Sequence, residues 1–268
     1  MLDYMKYWDS EKRLIAPNPL VPVYSQGNIL EITGKIFIAM AIDAVPRDGE
    51  FIKMIADRYQ EFWNEIKFMP RTVNPTMLPE MQPEVKDWKY CSELTTNSMG
   101  YYYQIATSTT QLCYLLMGLN LLGEPLCYDI MHQIVKDGWA IKCQGKVVEN
   151  GAFIPFGLVA IQRYAIGKVI GKEPGFLSRI MLSTVGTWTR FPKNYIFWGK
   201  TQNEGEWFST MMWLYWVKKL GESQHFDKWF PKYRDLLIKW REDRLAKTDE
   251  GDKLGNELGL AIITKIGG

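Results

Sequence analysis

Four segments of this chain are apolar on every side when wound as helices. They are "NILEITGKIFIAMAIDA" (Asn28 to Ala44), "YYYQIATSTTQLCYLLMGL" (Tyr101 to Leu119), "AFIPFGLVAIQRYAIG" (Ala152 to Gly167) and "WFSTMMWLYWVKKLG" (Trp207 to Gly221). A helix without a polar face must be covered all round. Other segments carry one apolar stripe. In "FIKMIADRYQEFWNEIKF" the residues Ile52, Ile55, Tyr59, Phe62 and Ile66 step by three and four, one face of an amphipathic helix. "FDKWFPKYRDLLIKW" repeats the pattern with Phe226, Trp229, Phe230, Tyr233, Leu237 and Trp240, and Pro231 predicts that the helix proper starts near Phe230. Buried helices alternating with amphipathic ones predict an inner layer of helices covered by an outer one. No segment sustains strict alternation, so the fold class expected is all-α with little sheet.

The punctuation repeats too. Turn signals follow the inner segments: "VPRDGE", "LLGEPL", "IGKEPG" and "LGESQH". Glu124, Glu173 and Glu222 stand at equal steps of 49, and Asn97, Asn150 and Asn203 at equal steps of 53. Each of these asparagines is followed by a glycine and an aromatic residue, and Asn28 holds the matching place before the first inner segment. Four helical hairpins are therefore expected in a single domain spanning 1–268, at about 28–67, 97–138, 150–185 and 203–242. Helices at 2–14 and near 253–266 add a fifth pair. The segment 68–92 breaks the rhythm, because its four prolines forbid a long regular helix. Insertions of this length are either functional loops or packed Ω-loops.

Composition excludes several classes. Net charge is +2 with no basic stripe, so no nucleic-acid partner is expected. No run approaches ~18 uninterrupted apolar residues, so no membrane span is expected. The start lacks the basic end and apolar run of a signal peptide, which predicts synthesis in a cytoplasm, with a virion as one possible destination. Cys91, Cys113, Cys127 and Cys143 form no C-x-x-C pair and read as reduced, buried thiols. The only histidines, His132 and His225, have no zinc-like partner nearby. With no phosphate-loop or dinucleotide glycine pattern either, no metal and no cofactor are expected.

Repeated hairpins with buried inner and amphipathic outer helices resemble the α/α-toroid superfamily, which includes many glycoside hydrolases and polysaccharide lyases. The resemblance spans about residues 28–242 and rests on pattern without a diagnostic motif. It implies a complete or incomplete helical ring, with a neutral or acidic oligo- or polysaccharide in a groove at one mouth. The loops leading into the inner helices would form that mouth. The aspartate-rich metal motif of the terpene-type members is absent.

Carboxylates are then the candidate catalysts, because glycoside hydrolysis uses two flanking the scissile bond. Glu31, Glu93, Glu149, Glu204 and Glu206 are the supply at the expected mouth, with Glu204, Glu206 and Glu31 favoured. Asn28, Asn97, Asn150 and Asn203 are candidates for sugar hydroxyls. Trp188, Trp198 and Trp207 are candidates for stacking on rings, and Arg71 and Arg190 for a uronate carboxylate. A lyase would instead need a tyrosine base, for which Tyr101 is the candidate. Each role has a structural competitor. Asn28–Glu31 and Asn203–Glu206 have capping-box spacing, and a tryptophan is more often core than platform. Glu204 falls outside the box and is the stronger catalytic candidate. A carboxylate in a helix's first turn suits a base or nucleophile better than an acid. The alternative from another class is a non-catalytic helical protein that binds a partner, such as a virion or assembly component.

Overall fold

The computed structural model describes residues 8–9, 14–15, 29–70, 73–74, 94–96, 102–104, 107–143, 145–152, 157–173, 175–189, 204–247 and 250–268. Among them are nine helices: α1 (Ile29–Ala41), α2 (Gly49–Ile66), α3 (Thr109–Leu122), α4 (Leu126–Lys136), α5 (Gly157–Val169), α6 (Phe176–Thr189), α7 (Glu204–Lys219), α8 (Gln224–Leu245) and α9 (Glu250–Ile266). The described part is mostly helical, as the periodicity predicts. Seven short strands make three small antiparallel sheets: β1 (Trp8–Asp9) with β2 (Leu14–Ile15), β3 (Val73–Asn74) and β4 (Leu94–Thr96) on either side of β5 (Tyr102–Gln104), and β6 (Ala140–Cys143) with β7 (Lys146–Ala152).

The four all-round apolar segments supply α1, α3, α5 and α7, and their central residues are buried on every side. α1 packs against α3, α3 against α5, α5 against α7, and α9 against α1. Backbone meets backbone where α1 crosses α3. A Cβ on Gly34 would stand 2.2 Å from the carbonyl carbon of Tyr114, and one on Gly118 would stand 2.7 Å from Phe37 Cβ. Two glycines at the crossing let the helices come closer than side chains would allow.

Side-chain contacts fix the direction of these helices. Tyr114 bonds Ser209 at 2.9 Å, and six residues further along α3 Asn120 accepts from Trp216 Nε1 at 2.8 Å, so α3 and α7 run the same way. Gly34 meets Tyr114 while Gly118 meets Phe37, so α1 runs with α3. Near its C-terminal end, α5 reaches the turn after α7, where Tyr164 and Lys168 bind Glu222. α9 passes Arg241 at Asn256 and reaches Phe230 and Arg234 at Gly267, antiparallel to α8 and therefore along α7. The N-termini of α1, α3, α5, α7 and α9 thus share one end, called here the leading end, and α2, α4, α6 and α8 lead back.

The inner helices also stop alike. Asp43, Gly123, Gly171 and Gly221 have φ of 57°, 80°, 67° and 97°. Beyond them Ala44, Glu124, Lys172 and Glu222 donate backbone N–H groups to carbonyls five residues back, at 2.9 Å for Glu124 and 2.8 Å for Lys172. These are left-handed C-terminal caps. Three use glycine, for which positive φ is free of strain.

Several expectations need correction. The expected helix 2–14 is interrupted by the β1–β2 hairpin, because Leu14 and Ile15 are buried against α1 and Trp8 meets Phe51 edge-on at 6.2 Å. The second inner helix begins at Thr109, since Tyr102–Gln104 is a strand between two others. The third begins at Gly157, because the β6–β7 hairpin extends to Ala152. α8 starts before Phe230 and runs through Pro231. The N–H that proline lacks would have bonded the carbonyl of Asp227, an exposed residue, while Phe226, Trp229 and Phe230 before it and Leu237 after it hold the helix to the core.

Cys113, Cys127 and Cys143 are buried free thiols. Burial pushes the Cys127 thiol up to about 12. No described helix is long and apolar enough to cross a membrane.

Candidate functional site

The leading end gathers polar groups inside an apolar wall. α1 starts directly after Asn28, which places Glu31 in its first turn. Lys35 follows one helical turn later and is 4% exposed. Its ammonium binds Glu31 Oε1 at 2.5 Å and lies 5.2 Å from the centre of the Tyr114 ring and 5.5 Å from that of Phe208. A buried ammonium needs such company, since an isolated charge in a medium of low dielectric constant is costly. The Tyr114 hydroxyl bonds Ser209 Oγ at 2.9 Å. Burial, reinforced by Glu31, holds the Tyr114 phenol far above its ordinary range, so it is a hydrogen-bonding group and not a base.

Arg241 closes the cluster from α8. Its guanidinium lies 4.2 Å from the Phe208 ring centre and 4.4 Å from that of Trp240, and Nη1 donates to Asn256 Oδ1 of α9 at 2.7 Å. Burial lowers its pKa to about 10, against the raising influence of Tyr114 and Glu31, so it stays cationic at neutral pH. One carboxylate, two cations, a phenol and a hydroxyl from α1, α3, α7 and α8 therefore meet in one low-dielectric neighbourhood, where charge–charge and hydrogen-bonding interactions are stronger than in water.

The cluster touches some of the residues the sequence singles out. Glu31 belongs to it through its ion pair with Lys35. Glu204 and Glu206 open α7, within the two turns before and including Phe208 and Ser209, and so stand at the same end as Glu31. Asn203 directly precedes that helix. Trp207 is 7% exposed and packs on Tyr233 at 5.3 Å, which makes its indole a core group and not an open platform for a sugar ring.

Other candidates are elsewhere. Asn150 and Glu149 lie in β7, and the next helix starts only at Gly157, so Asn150 is not a helix entrance. Its equal spacing with Asn97 and Asn203 does not reflect an equal structural position. Trp188 is in the last turn of α6. Asn28, Arg71, Glu93, Asn97, Tyr101, Arg190, Trp198 and Asn203 lie outside the described residues. Lys35, Tyr114, Ser209 and Arg241 escaped sequence reading. The available signal was Lys35 itself, a lone charge four residues after Glu31 in an otherwise apolar helix.

Among the described residues, no group of three or more His, Cys, Asp and Glu side chains is placed to hold a metal ion. No family model, no curated protein and no solved structure matches this chain.

Proposed function

We propose that this chain is a carbohydrate-active protein, a glycoside hydrolase that acts on an oligo- or polysaccharide at the leading end of an α/α-toroid-like ring. The ring reading is supported by five helices that run the same way, with α1, α3, α5 and α7 packed in succession and α9 on α1. The observation that carries the functional reading is the shared end. Glu31 and the first turn of α7, with Glu204 and Glu206, stand above the Lys35–Tyr114–Ser209 cluster. Hydrolysis of a glycosidic bond takes two carboxyl groups, about 5 Å apart for retention and further apart for inversion. Glu204 is assigned as base or nucleophile, in keeping with its place in a helix's first turn. Glu31 is the second carboxyl group and the leaving-group acid, and the proton it passes to the glycosidic oxygen is supplied by the Lys35 ammonium that binds it. A uronate substrate would engage Arg71 or Arg190.

A second reading has its own observation. Phe176, Leu177 and Ile180 in the first turns of α6 are 76%, 44% and 38% exposed, an apolar patch of the kind that binds partners. It favours a non-catalytic helical protein, such as an assembly component.

Incubation of the protein with a panel of neutral and acidic glycans decides between them. New reducing ends without unsaturated sugars are the expected result. Unsaturated uronides would mean a lyase, with Tyr101 as the first base to test. No change in any glycan would overturn the enzymatic reading in favour of the binding one.

A further inference from the structure

The trailing end, opposite Glu31, holds an open cleft of about 490 Å³ bounded by the C-terminal half of α5, the start of α6 and the α7–α8 turn. We propose that this cleft is a second ligand site and that its ligand is a small neutral polyhydroxy compound of mono- or disaccharide size. The volume lies in the range of about 300–1,000 Å³ usual for small-molecule sites. The proposal stands on residues remote from the leading end and does not depend on the hydrolase reading.

The chemistry of the walls selects the ligand class. Glu222 is the centre. The Tyr164 hydroxyl, on a residue 6% exposed, donates to it at 2.7 Å, and Lys168 binds its Oε1 at 2.7 Å. Across the cleft Arg179 pairs with Glu173. Each of the two cations therefore already has a carboxylate. An anionic ligand would compete with Glu222 for Lys168 and with Glu173 for Arg179, and a cationic one would compete with these two cations for the carboxylates. A hydroxyl-rich neutral ligand does neither. Arg179 presents five N–H donors and Lys168 three, while the Glu222 carboxylate has about four lone-pair sites, so the pairs leave hydrogen-bonding capacity on both sides. Gln224 and His225, in the first turn of α8, add groups that both donate and accept. Burial lowers the His225 pKa, which favours the neutral ring at neutral pH and keeps the lining near zero net charge.

Glu173 and Glu222 are also members of the evenly spaced glutamate series that follows the inner helices. That series has no part in the leading-end chemistry. In the cleft both of its later members line one cavity.

The chain's two histidines make the test clean. His225 lines the cleft, and His132 is exposed on α4. Proton NMR of the imidazole signals would be followed during titration with maltose, cellobiose, N-acetylglucosamine and myo-inositol, with inorganic phosphate and acetate as anionic probes. Saturable movement of the His225 signal by at least one neutral probe, with His132 still, is expected. Arg179→Gln and Gln224→Ala should each weaken that binding at least tenfold while leaving the melting temperature unchanged. Glu222→Gln is a poorer first choice, because it also cuts the strap between α5 and the α7–α8 turn. No movement with any probe, movement only with the anions, or full affinity in both variants would overturn the proposal. Glycan bound at the leading end leaves His225 still, so failure of this site is distinguishable from failure of the hydrolase reading.

Discussion

Gly34 and Gly118 set the distance between α1 and α3, and the cost of filling them follows from what a new Cβ would meet. At Gly34 it would meet the backbone of Tyr114 and Leu115 at 2.2–2.4 Å, atoms that move only if a whole helix moves. Gly34→Ala is expected to cost about 3 kcal/mol or more in urea unfolding, beyond the usual overpacking penalty. Gly49, in the first turn of α2, has nothing within 4 Å of the equivalent position. Gly49→Ala should therefore stabilise by about 0.5–1 kcal/mol through the unfolded chain's lost freedom. Equal effects at the two sites would contradict the crossing. The same scale explains why Lys35 and Arg241 were not legible in the sequence. Lys35 reads as a single solvent-facing charge in a helical pattern, and Arg241, in the charged run "REDR", reads as part of a solvated face. Here the rings of Tyr114 and Phe208 enclose Lys35, and those of Phe208 and Trp240 cover Arg241, all but Trp240 from other helices.

Helices were the most legible elements, because periodicity is local. The segments with all-round apolar character became α1, α3, α5 and α7, and the glycines of "LLGE", "IGKE" and "LGES" became their left-handed caps. The first such cap was missed, since Asp43 fills the place glycine takes elsewhere. Strands were missed because they are short, seven residues at most (β7), and sustain no alternation, and because partners such as Val73 and Tyr103 are distant in sequence. Pro231 was read as a start and is an interior residue of α8. Because it costs one backbone bond on an exposed face, Pro231→Ala is expected to stabilise the fold by at most the ~3 kcal/mol penalty of an interior proline, seen as a higher melting temperature. A lower melting temperature would mean that the ring packs in a way its exposure does not reveal.

On the scale of the whole molecule, five helices of one direction give the fold two chemically distinct ends. At the trailing end, burial pushes Glu222 up, but the hydrogen bonds from Lys168 and Tyr164 prevail and hold it below its ordinary value of 4.5. A depressed folded-state pKa contributes stability above the unfolded value that is lost as pH falls through the folded one. His225, held below 6.5 chiefly by burial, acts in the same direction over a window that starts at higher pH. Thermal melting between neutral pH and about pH 3 should therefore show a steeper acid loss in the wild type than in Glu222→Gln. Parallel curves would remove Glu222 from the account. At the leading end, the capping-box spacing placed Glu31 and Glu206 at helix starts, and the helix bounds agree with that register. The asparagine series was less informative, because the β6–β7 hairpin displaces the third helix and leaves Asn150 in a strand.

The proposed chemistry of the leading end rests on Glu204 and Glu31. The most direct measurement compares Glu204→Gln and Glu31→Gln with the wild type for melting temperature and for turnover of whichever glycan the wild type cleaves. The account predicts that Glu204→Gln melts with the wild type and loses turnover by at least a hundredfold, the lower end of what a positioned acid–base group contributes, about 10²–10⁴-fold. Unchanged turnover in both variants, or a loss of turnover that only follows a loss of folded protein, would contradict it.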